Sequence, residues 1–185
     1  KGSKLFVAEL AEGTLGIIDT AAGTRTAAAT AIRNPRAVAV TNNLDDNEAD
    51  ETVVVTEFFG SAVAGKEAAN DGRIGHVRLF GIDGAAKGQI DFNPFTHTDA
   101  AFEATTQPNQ FHAVAINGTQ IFAPSISSSP ALPLSFNKNR YSVMYVGDLG
   151  TMAEVTGGAG TQSLTALVKT AAATQRKKFA LADAV

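Results

Sequence analysis

Short apolar runs separated by turn residues recur along the chain. The stretch KLFVAELAEGTLGIID, residues 4–19, shows the pattern once, as an apolar run, a Gly-containing turn and a second apolar run. Runs of about four to eight residues that are rich in Val, Ile and Phe and bounded by Gly, Asn, Asp or Pro are typical of β-strands. The pattern therefore predicts hairpins, and Asn117-Gly118 between two apolar runs is a strong signal for a tight turn.

The first hairpin is repeated later in the chain. LFVAE, which begins at residue 5, returns as VVVTE from residue 53 and as IFAPS from residue 121. NPRAVAV, from residue 34, likewise returns as PNQFHAVAI from residue 108. The second unit shows four runs in order, AVAV, VVVTE, GHVRLF and GQIDF. A repeat of four short strands predicts an all-β fold of four-stranded antiparallel blades, as in a β-propeller.

The first part of the chain resembles a known repeat. KLFVAELAEGTLGIIDTAAGTRTAAATAIRNPRAVAV is similar to the YVTN-type repeat of bacterial seven-bladed propellers, with its two apolar strands, its turn and its Pro-containing strand. The resemblance implies a secreted or periplasmic bacterial protein. In relatives it also implies binding, redox or lactone-hydrolysing roles, but none of these has a residue signature in this sequence.

The repeats predict a single propeller domain that is not closed by this chain. The approximate blade units are 1–33, 34–92, 108–156 and 161–185, which makes about three to four blades of a larger propeller. If the strands of a blade are labelled a to d from the centre outward, Lys1 falls just before a strand b. We therefore expect remaining blades or another chain to close the ring, the alternative being a self-contained sandwich or an oligomer. The Ala-rich tail, 169–185, fits a strand or a helix equally well.

Composition excludes several classes of protein. The net charge is −3, from 15 basic and 18 acidic residues, and the single basic cluster at 176–178 is too short for a nucleic-acid binder. The absence of cysteine excludes disulfide scaffolds, thiolate metal sites and thiol catalysis within this chain. No stretch of 18 apolar residues is present, so no membrane span is expected. No cofactor is predicted, apart from the calcium considered below.

Long insertions are expected to gather on one face of the blades. In a meander the b–c and d–a connections share one face, and the a–b and c–d connections share the other. Two b–c loops, 58–72 and 125–140, and one d–a loop, 93–110, are long. Long loops on a rigid scaffold commonly carry binding. The sequence therefore predicts a protein partner or a small polar or anionic ligand on this face, although neutral insertions would give the same pattern.

Aligned repeats single out two residues near these loops. Arg36 and His112 occupy the same place, just before the innermost strand, with Asn109 and Gln110 beside His112. Together the four could hold an anionic or polar ligand in the central funnel. The alternative is a structural role, in which they hydrogen-bond to neighbouring blades.

An acidic loop lies on the opposite face. NNLDDNEADE, residues 42–51, offers hard oxygen ligands that calcium prefers, although it lacks the Gly of an EF-hand loop. A solvated acidic turn is the alternative reading. The candidate ligands are Asp45, Asp46, Asn47, Glu48, Asp50 and Glu51.

Catalytic signals are weaker. The histidines are His76, His97 and His112, and their spacing matches no zinc motif. The main functional prediction is therefore an exported propeller that acts as a binding scaffold and is not itself an enzyme. The alternatives are a fragment of a lactonase-like or redox-associated propeller enzyme, with catalytic groups partly outside this chain, and a structural repeat in a surface assembly.

Overall fold

A computed structural model describes residues 2–28, 30–97, 104–130, 139–157, 160–164 and 166–167. The tail, 169–185, and thus most of the fourth unit, lies outside the described residues. Within the described residues the chain forms 15 β-strands, so the predicted all-β class is confirmed. The strands are β1 Lys4–Glu9, β2 Thr14–Asp19, β3 Arg25–Ala27, β4 Pro35–Val40, β5 Thr52–Glu57, β6 Ser61–Ala62, β7 Arg73–Gly81, β8 Ala86–Phe92, β9 Phe95–His97, β10 Ala104–Thr106, β11 Ala115–Asn117, β12 Gln120–Ser128, β13 Arg140–Asp148, β14 Ala153–Glu154 and β15 Gln162–Ser163.

These strands form three antiparallel meanders. The first sheet is β1-β2-β3, and the second is β4-β5-β7-β8, with β6 on the edge of β7. The third is β11-β12-β13-β14, with β15 also paired to β13. Sequential pairing of this kind follows from short turns between apolar runs. The arrangement is consistent with a segment of a β-propeller.

Two details differ from the simple four-strand unit. The long d–a loop carries a small hairpin of its own, β9–β10, in which Ala104 is opposite His97. The outer strand of the third sheet is split into β14 and β15. Because β15 pairs with β13, Gln162 and Ser163 extend the third sheet, whereas the sequence placed the start of a fourth unit at 161.

The predicted turn at Asn117-Gly118 joins β11 to β12, and Asn117 is opposite Gln120. Gly118 has a φ of 60°, a left-handed conformation that glycine adopts without steric cost. A second turn is held by Asp19, whose carboxylate accepts from the amides of Ala21 and Ala22 at 3.0 and 2.8 Å. These two bonds lower the pKa of Asp19.

The three sheets are stacked, and the repeat determines which side chains face which neighbour. We call the side of a sheet that faces the lower-numbered sheet its preceding face, and the other side its following face. Alternate residues of a strand point to opposite faces. The repeat run lies on β1, β5 and β12 in turn. Its first and third residues are on the preceding face: Leu5 and Val7, Val53 and Val55, Ile121 and Ala123. Its second residue is on the following face: Phe6, Val54 and Phe122.

The second sheet is buried on both faces. Its preceding face packs on the first sheet in a core that contains Leu15, Ile17, Val53, Val55 and Phe80. Its following face packs on the third sheet in a larger core. That core contains Val54, Val77, Leu79, Ile90, Phe92, Phe111, Ile121, Ala123, Val143 and Tyr145. A strand buried on both faces is uniformly apolar, which explains the run VVV in β5.

The repeated glutamate that follows the apolar run meets an arginine in both of the first two sheets. The guanidinium of Arg25 donates to Glu9, with Nε 2.8 Å from Oε1, and the hydroxyl of Thr14 donates to the same carboxylate at 2.7 Å. In the second sheet Arg78 Nη1 lies 3.8 Å from Oε1 of Glu57. Arg25 lies on β3, whereas Arg78 lies on β7, the equivalent of β2, so the two contacts are not at equivalent positions of the repeat.

The contact between Glu9 and Arg25 predicts how stability depends on pH. Hydrogen bonds from Arg25 and then Thr14 lower the pKa of Glu9 from 4.5. The pKa of Glu9 is lower in the folded protein than in the unfolded chain. The contribution of Glu9 to stability is therefore present above pH 4.5 and is lost as the pH falls through the folded-state pKa. A ¹³C NMR titration of the Glu9 carboxyl should have its midpoint below 4.5. Arg25→Gln should move that midpoint upward, and an unchanged midpoint in the variant would contradict the assignment.

Within the described residues, no helix has the length and apolar character that crossing a membrane requires.

Candidate functional site

The long loops contact one another along one edge of the stack. The backbone amide of Phe111, which follows the d–a loop, donates to the carbonyl of Phe58, which opens a b–c loop, at 3.1 Å. Gln107 and Ser128 exchange two backbone hydrogen bonds, of 2.8 and 3.1 Å. The hydroxyl of Ser129 donates to Oδ1 of Asn70 at 2.5 Å. The described parts of the three insertions thus form one continuous surface, which we call the loop face.

Arg36 and His112 come together on this face around Phe58. The guanidinium carbon of Arg36 lies 5.8 Å from the centre of the Phe58 ring. The imidazole of His112 meets the same ring edge to face, with centroids 5.1 Å apart. Phe59 also packs on Phe58, edge to face, with centroids 4.6 Å apart. We call Arg36, Phe58, Phe59 and His112 the Phe58 cluster.

Local backbone structure brings these side chains together. A β-bulge lies between Pro35 and Val38, so Arg36 sits where the register of β4 and β5 shifts. Asn34 adopts a left-handed conformation, with φ of 47°, and its carbonyl accepts from the amide of Phe58 at 2.9 Å. On the other side, the buried ring of Phe111 anchors the chain beside His112. The cluster therefore joins the inner edges of the second and third sheets.

Asn109 and Gln110, also predicted from the repeat, lie next to the cluster along the chain. The hydroxyl of Ser125 donates to the carbonyl of Asn109 at 2.5 Å and accepts from its amide at 3.3 Å. Gln110 has a φ of 55°, in the left-handed region. Both residues are half-buried. The backbone of Asn109 is thus held by Ser125 of β12, in the third sheet. A role of Asn109 and Gln110 in ligand binding stays a prediction.

The cluster combines an exposed guanidinium and an exposed imidazole with an aromatic surface. Arg36 and His112 are exposed, and Phe59 is 40% exposed. Arg73 Nη1 donates to the carbonyl of Phe59 at 3.3 Å, which brings a second guanidinium to the edge of the cluster. A guanidinium can bind a carboxylate through two parallel hydrogen bonds, and an aromatic side chain can stack on a flat part of the ligand. This chemistry suits a small anion that carries a flat apolar part.

A second polar site was not predicted as a unit. A cleft of about 540 Å³ lies beside the preceding face of the second sheet, between its polar rows and the connection at 31–33. His76 Nδ1 lies 2.7 Å from Oδ1 of Asp91, and Gln89 donates to the same oxygen at 2.7 Å. Arg78 donates to Oε1 of Gln89 at 2.9 Å. The signal in the sequence was the alternation of polar residues on β7 and β8, which places them on one face.

The cleft is lined by His76, which is paired with Asp91, and by a buried glutamate. Glu57 is 4% exposed and accepts from the amide of Arg33 at 3.4 Å. The pairing with Asp91 orients the imidazole of His76, as a general base requires. Ser61 lines the same cleft, but in the part of the chain that the structure describes its hydroxyl makes no hydrogen bond to His76. Among the described residues, the cleft thus has an oriented imidazole but no hydroxyl that is hydrogen-bonded to it.

The three histidines occupy three separate places. His97 is buried in the β9–β10 hairpin, where its Nε2 lies 2.9 Å from the hydroxyl of Thr106. Its ring stacks on Tyr141, with centroids 4.1 Å apart. Among the described residues, no group of three or more His, Asp or Glu side chains is arranged to hold a metal ion.

The acidic loop uses several of its oxygens within the loop. Oδ1 of Asp45 accepts from the amide of Asn47 at 2.8 Å, and Asp50 accepts from the side chain of Asn43 at 3.0 Å. Buried Glu51 accepts from the hydroxyl of Thr41 and from the amide of Asn43. Hydrogen bonds of this kind are typical of a folded polar turn.

Other groups also bind this loop from outside. The Ser3 hydroxyl donates to Glu48 and lowers the pKa of that carboxyl. The amine of Lys87 donates to the carbonyl of Glu51 at 2.9 Å. Asp46 is exposed. Calcium binding by this loop stays a prediction, and these contacts favour the alternative of a solvated acidic turn.

Comparison of the chain with protein-family models, with curated proteins and with solved structures found no match. The resemblance to the YVTN-type repeat therefore stays a prediction.

Proposed function

We propose that this chain is part of an exported bacterial β-propeller of the YVTN type, and that it acts as a binding scaffold. Its ligand would be a small anion, or an acidic side chain of a partner, that binds at the Phe58 cluster. One observation carries the proposal. Arg36 and His112, which stand at equivalent positions of two repeats, are both exposed and both contact Phe58 on the loop face.

The chemistry of the cluster suggests the form of the ligand. The Arg36 guanidinium would bind a carboxylate, and the exposed edge of Phe59 would contact an apolar ring. His112 would add a second hydrogen bond, which strengthens when the imidazole is protonated. Asp71, on the same loop, is paired with the amine of Lys66, so its negative charge is partly compensated. The cluster and its margin therefore keep a positive character.

Benzoate is a suitable probe, because it joins a carboxylate to a flat ring, and neutral benzamide is its matched control. Adding benzoate should shift the NMR signals of Arg36 Nε–H and His112 Cε1–H in a saturable way, with a dissociation constant on the order of 1 mM. Arg36→Gln should weaken binding about 10-fold, the effect of losing a charge-assisted hydrogen bond. His76→Gln, a change in the separate polar cleft, should leave the affinity unchanged.

Circular dichroism of each variant would show that the fold is retained, which is expected for the exposed residue Arg36. Equal shifts with benzamide would show that the charge is not recognised. Equal benzoate affinity in wild type and Arg36→Gln would place the ligand elsewhere. Either outcome would overturn the assignment of the Phe58 cluster as an anion site.

A further inference from the structure

The polar cleft beside the preceding face of the second sheet contains charged groups that are incompletely paired. Nε of Arg78 is buried and has no hydrogen-bond partner in the described part of the chain, although Nη1 of the same guanidinium donates to Gln89 at 2.9 Å. A buried N–H group without an acceptor is costly, and in a native structure it calls for an explanation such as a bound molecule. Arg78 lines the cleft, so a ligand there can supply the acceptor.

Glu57 is the second incompletely paired group of the cleft. Its side chain is 5% exposed, but the amide of Arg33 donates to Oε1 at 3.4 Å, and Arg78 Nη1 lies 3.8 Å from the same oxygen. The second distance is too long for a hydrogen bond. Among the described residues, none donates a hydrogen bond to Oε2 of Glu57. A buried carboxylate normally has strong partners, so Glu57 has capacity for a further cationic donor.

A second guanidinium lines the same cleft. Arg33 is exposed, and within the described ranges its guanidinium donates no hydrogen bond. By contrast, the carboxylate of Asp91 is already bonded by His76 and by Gln89, each at 2.7 Å. The cleft therefore offers two guanidinium groups with spare donors and one buried carboxylate with a spare acceptor.

This set of charges distinguishes between classes of ligand. A simple anion would lie against the Glu57 carboxylate, a simple cation would face the two guanidinium groups, and a neutral sugar would leave all three charges without a counter-charge. A zwitterion gives each charge a partner of opposite sign, and such charge-assisted hydrogen bonds are about twice as strong as neutral ones. The volume of about 540 Å³ is that of a small-molecule site.

We propose that the polar cleft binds a free α-amino acid. The carboxylate of the ligand accepts from Arg33 and Arg78, and its ammonium group donates to Glu57. The cleft shares no residue with the Phe58 cluster. The proposal therefore adds a second site and does not depend on the ligand of the first.

L-Alanine is a suitable probe, because Ala31 and Ile32 give the cleft an apolar part that its methyl group can contact. Propionate and ethylamine are the matched controls, since each lacks one of the two charges. L-Alanine should shift the NMR signal of Arg78 Nε–H in a saturable way, with a dissociation constant on the order of 1 mM. Each control should bind at least about 10-fold more weakly, because it leaves a charge of the cleft unpaired.

Two variants test the assigned contacts. Arg33→Gln should weaken L-alanine binding at least about 10-fold, whereas Arg140→Gln should leave it unchanged, because Arg140 is also exposed but lies on β13 and does not line the cleft. Glu57→Gln keeps the shape of the side chain and removes its charge, so it should abolish the preference for L-alanine over propionate. Circular dichroism would show whether this buried variant is folded, and Arg33→Gln decides the question if it is not.

Three results would overturn the proposal. Equal affinity of the wild type for L-alanine and propionate would show that Glu57 does not receive the ammonium group. Equal L-alanine affinity in the wild type and Arg33→Gln would place the carboxylate elsewhere. No saturable shift at about 20 mM L-alanine, well above the expected dissociation constant, would show that the cleft does not bind α-amino acids.

Discussion

Val55→Asp is expected to abolish cooperative folding of the chain, whereas Val7→Asp leaves the fold intact. Val55 is 0% exposed and lies between the first two sheets. A carboxylate there loses its water without gaining a partner, and such substitutions cost at least about 4 kcal/mol. That cost is comparable with the whole stability of a small domain, about 5–15 kcal/mol.

Val7 is a matched comparison for Val55, because the two residues occupy equivalent positions of the repeat. The two residues have the same side chain, lie on equivalent strands and occupy the same position in the run, but Val7 is 38% exposed. Denaturant unfolding followed by far-ultraviolet circular dichroism would measure both variants. Equal midpoints for Val55→Asp and the wild type would show that the first and second sheets do not pack as described.

Phe111→Ala should lower the free energy of unfolding by about 3–5 kcal/mol, as large-to-small changes of buried aromatic residues do. Phe111 is 0% exposed and packs between Phe92 and Tyr145, with centroids 5.6 and 5.4 Å apart. Its ring also fills the space above Gly75, where an added Cβ would lie 2.4 Å from Phe111 Cε2. The substitution thus leaves a cavity in the larger core.

Phe59→Ala is the control for the stability effect, because Phe59 is 40% exposed and its truncation should change the free energy of unfolding by less than about 1 kcal/mol. The buried ring of Phe111 also anchors the segment that carries His112, and the alanine variant lacks that ring. Benzoate binding should therefore weaken in Phe111→Ala, even under conditions in which the variant is folded. Equal stability of the two alanine variants would contradict the position of Phe111 in the core.

The strands and their order were accessible from the sequence because they depend on local pattern. Apolar runs bounded by Gly, Asn and Pro predicted β1, β2, β5 and β7, and Asn117-Gly118 predicted the turn between β11 and β12. The repeat also aligned Arg36 with His112, and the two residues do meet at one ring. Equivalent places in a repeat become neighbours when successive sheets stack.

Other features depend on contacts between distant segments. The β9–β10 hairpin and the pairing of β15 with β13 involve short, weakly patterned strands, which local propensity does not single out. The polar cleft also required the register of β7 and β8, which places His76 opposite Asp91 and Arg78 opposite Gln89. A shift by one residue would have turned each of these side chains to the other face.

The all-β class, the repeated meander and the positions of the long loops follow from the sequence alone, because turn residues and apolar runs act over a few neighbouring residues. Which of the equivalent positions are covered follows from the packing of the sheets. Leu5 and Val53 have the same local pattern, but one is 53% exposed and the other is 0% exposed. The difference arises from the sheet that packs on Val53, because burial depends on contacts between segments far apart in the chain and not on the pattern within one strand.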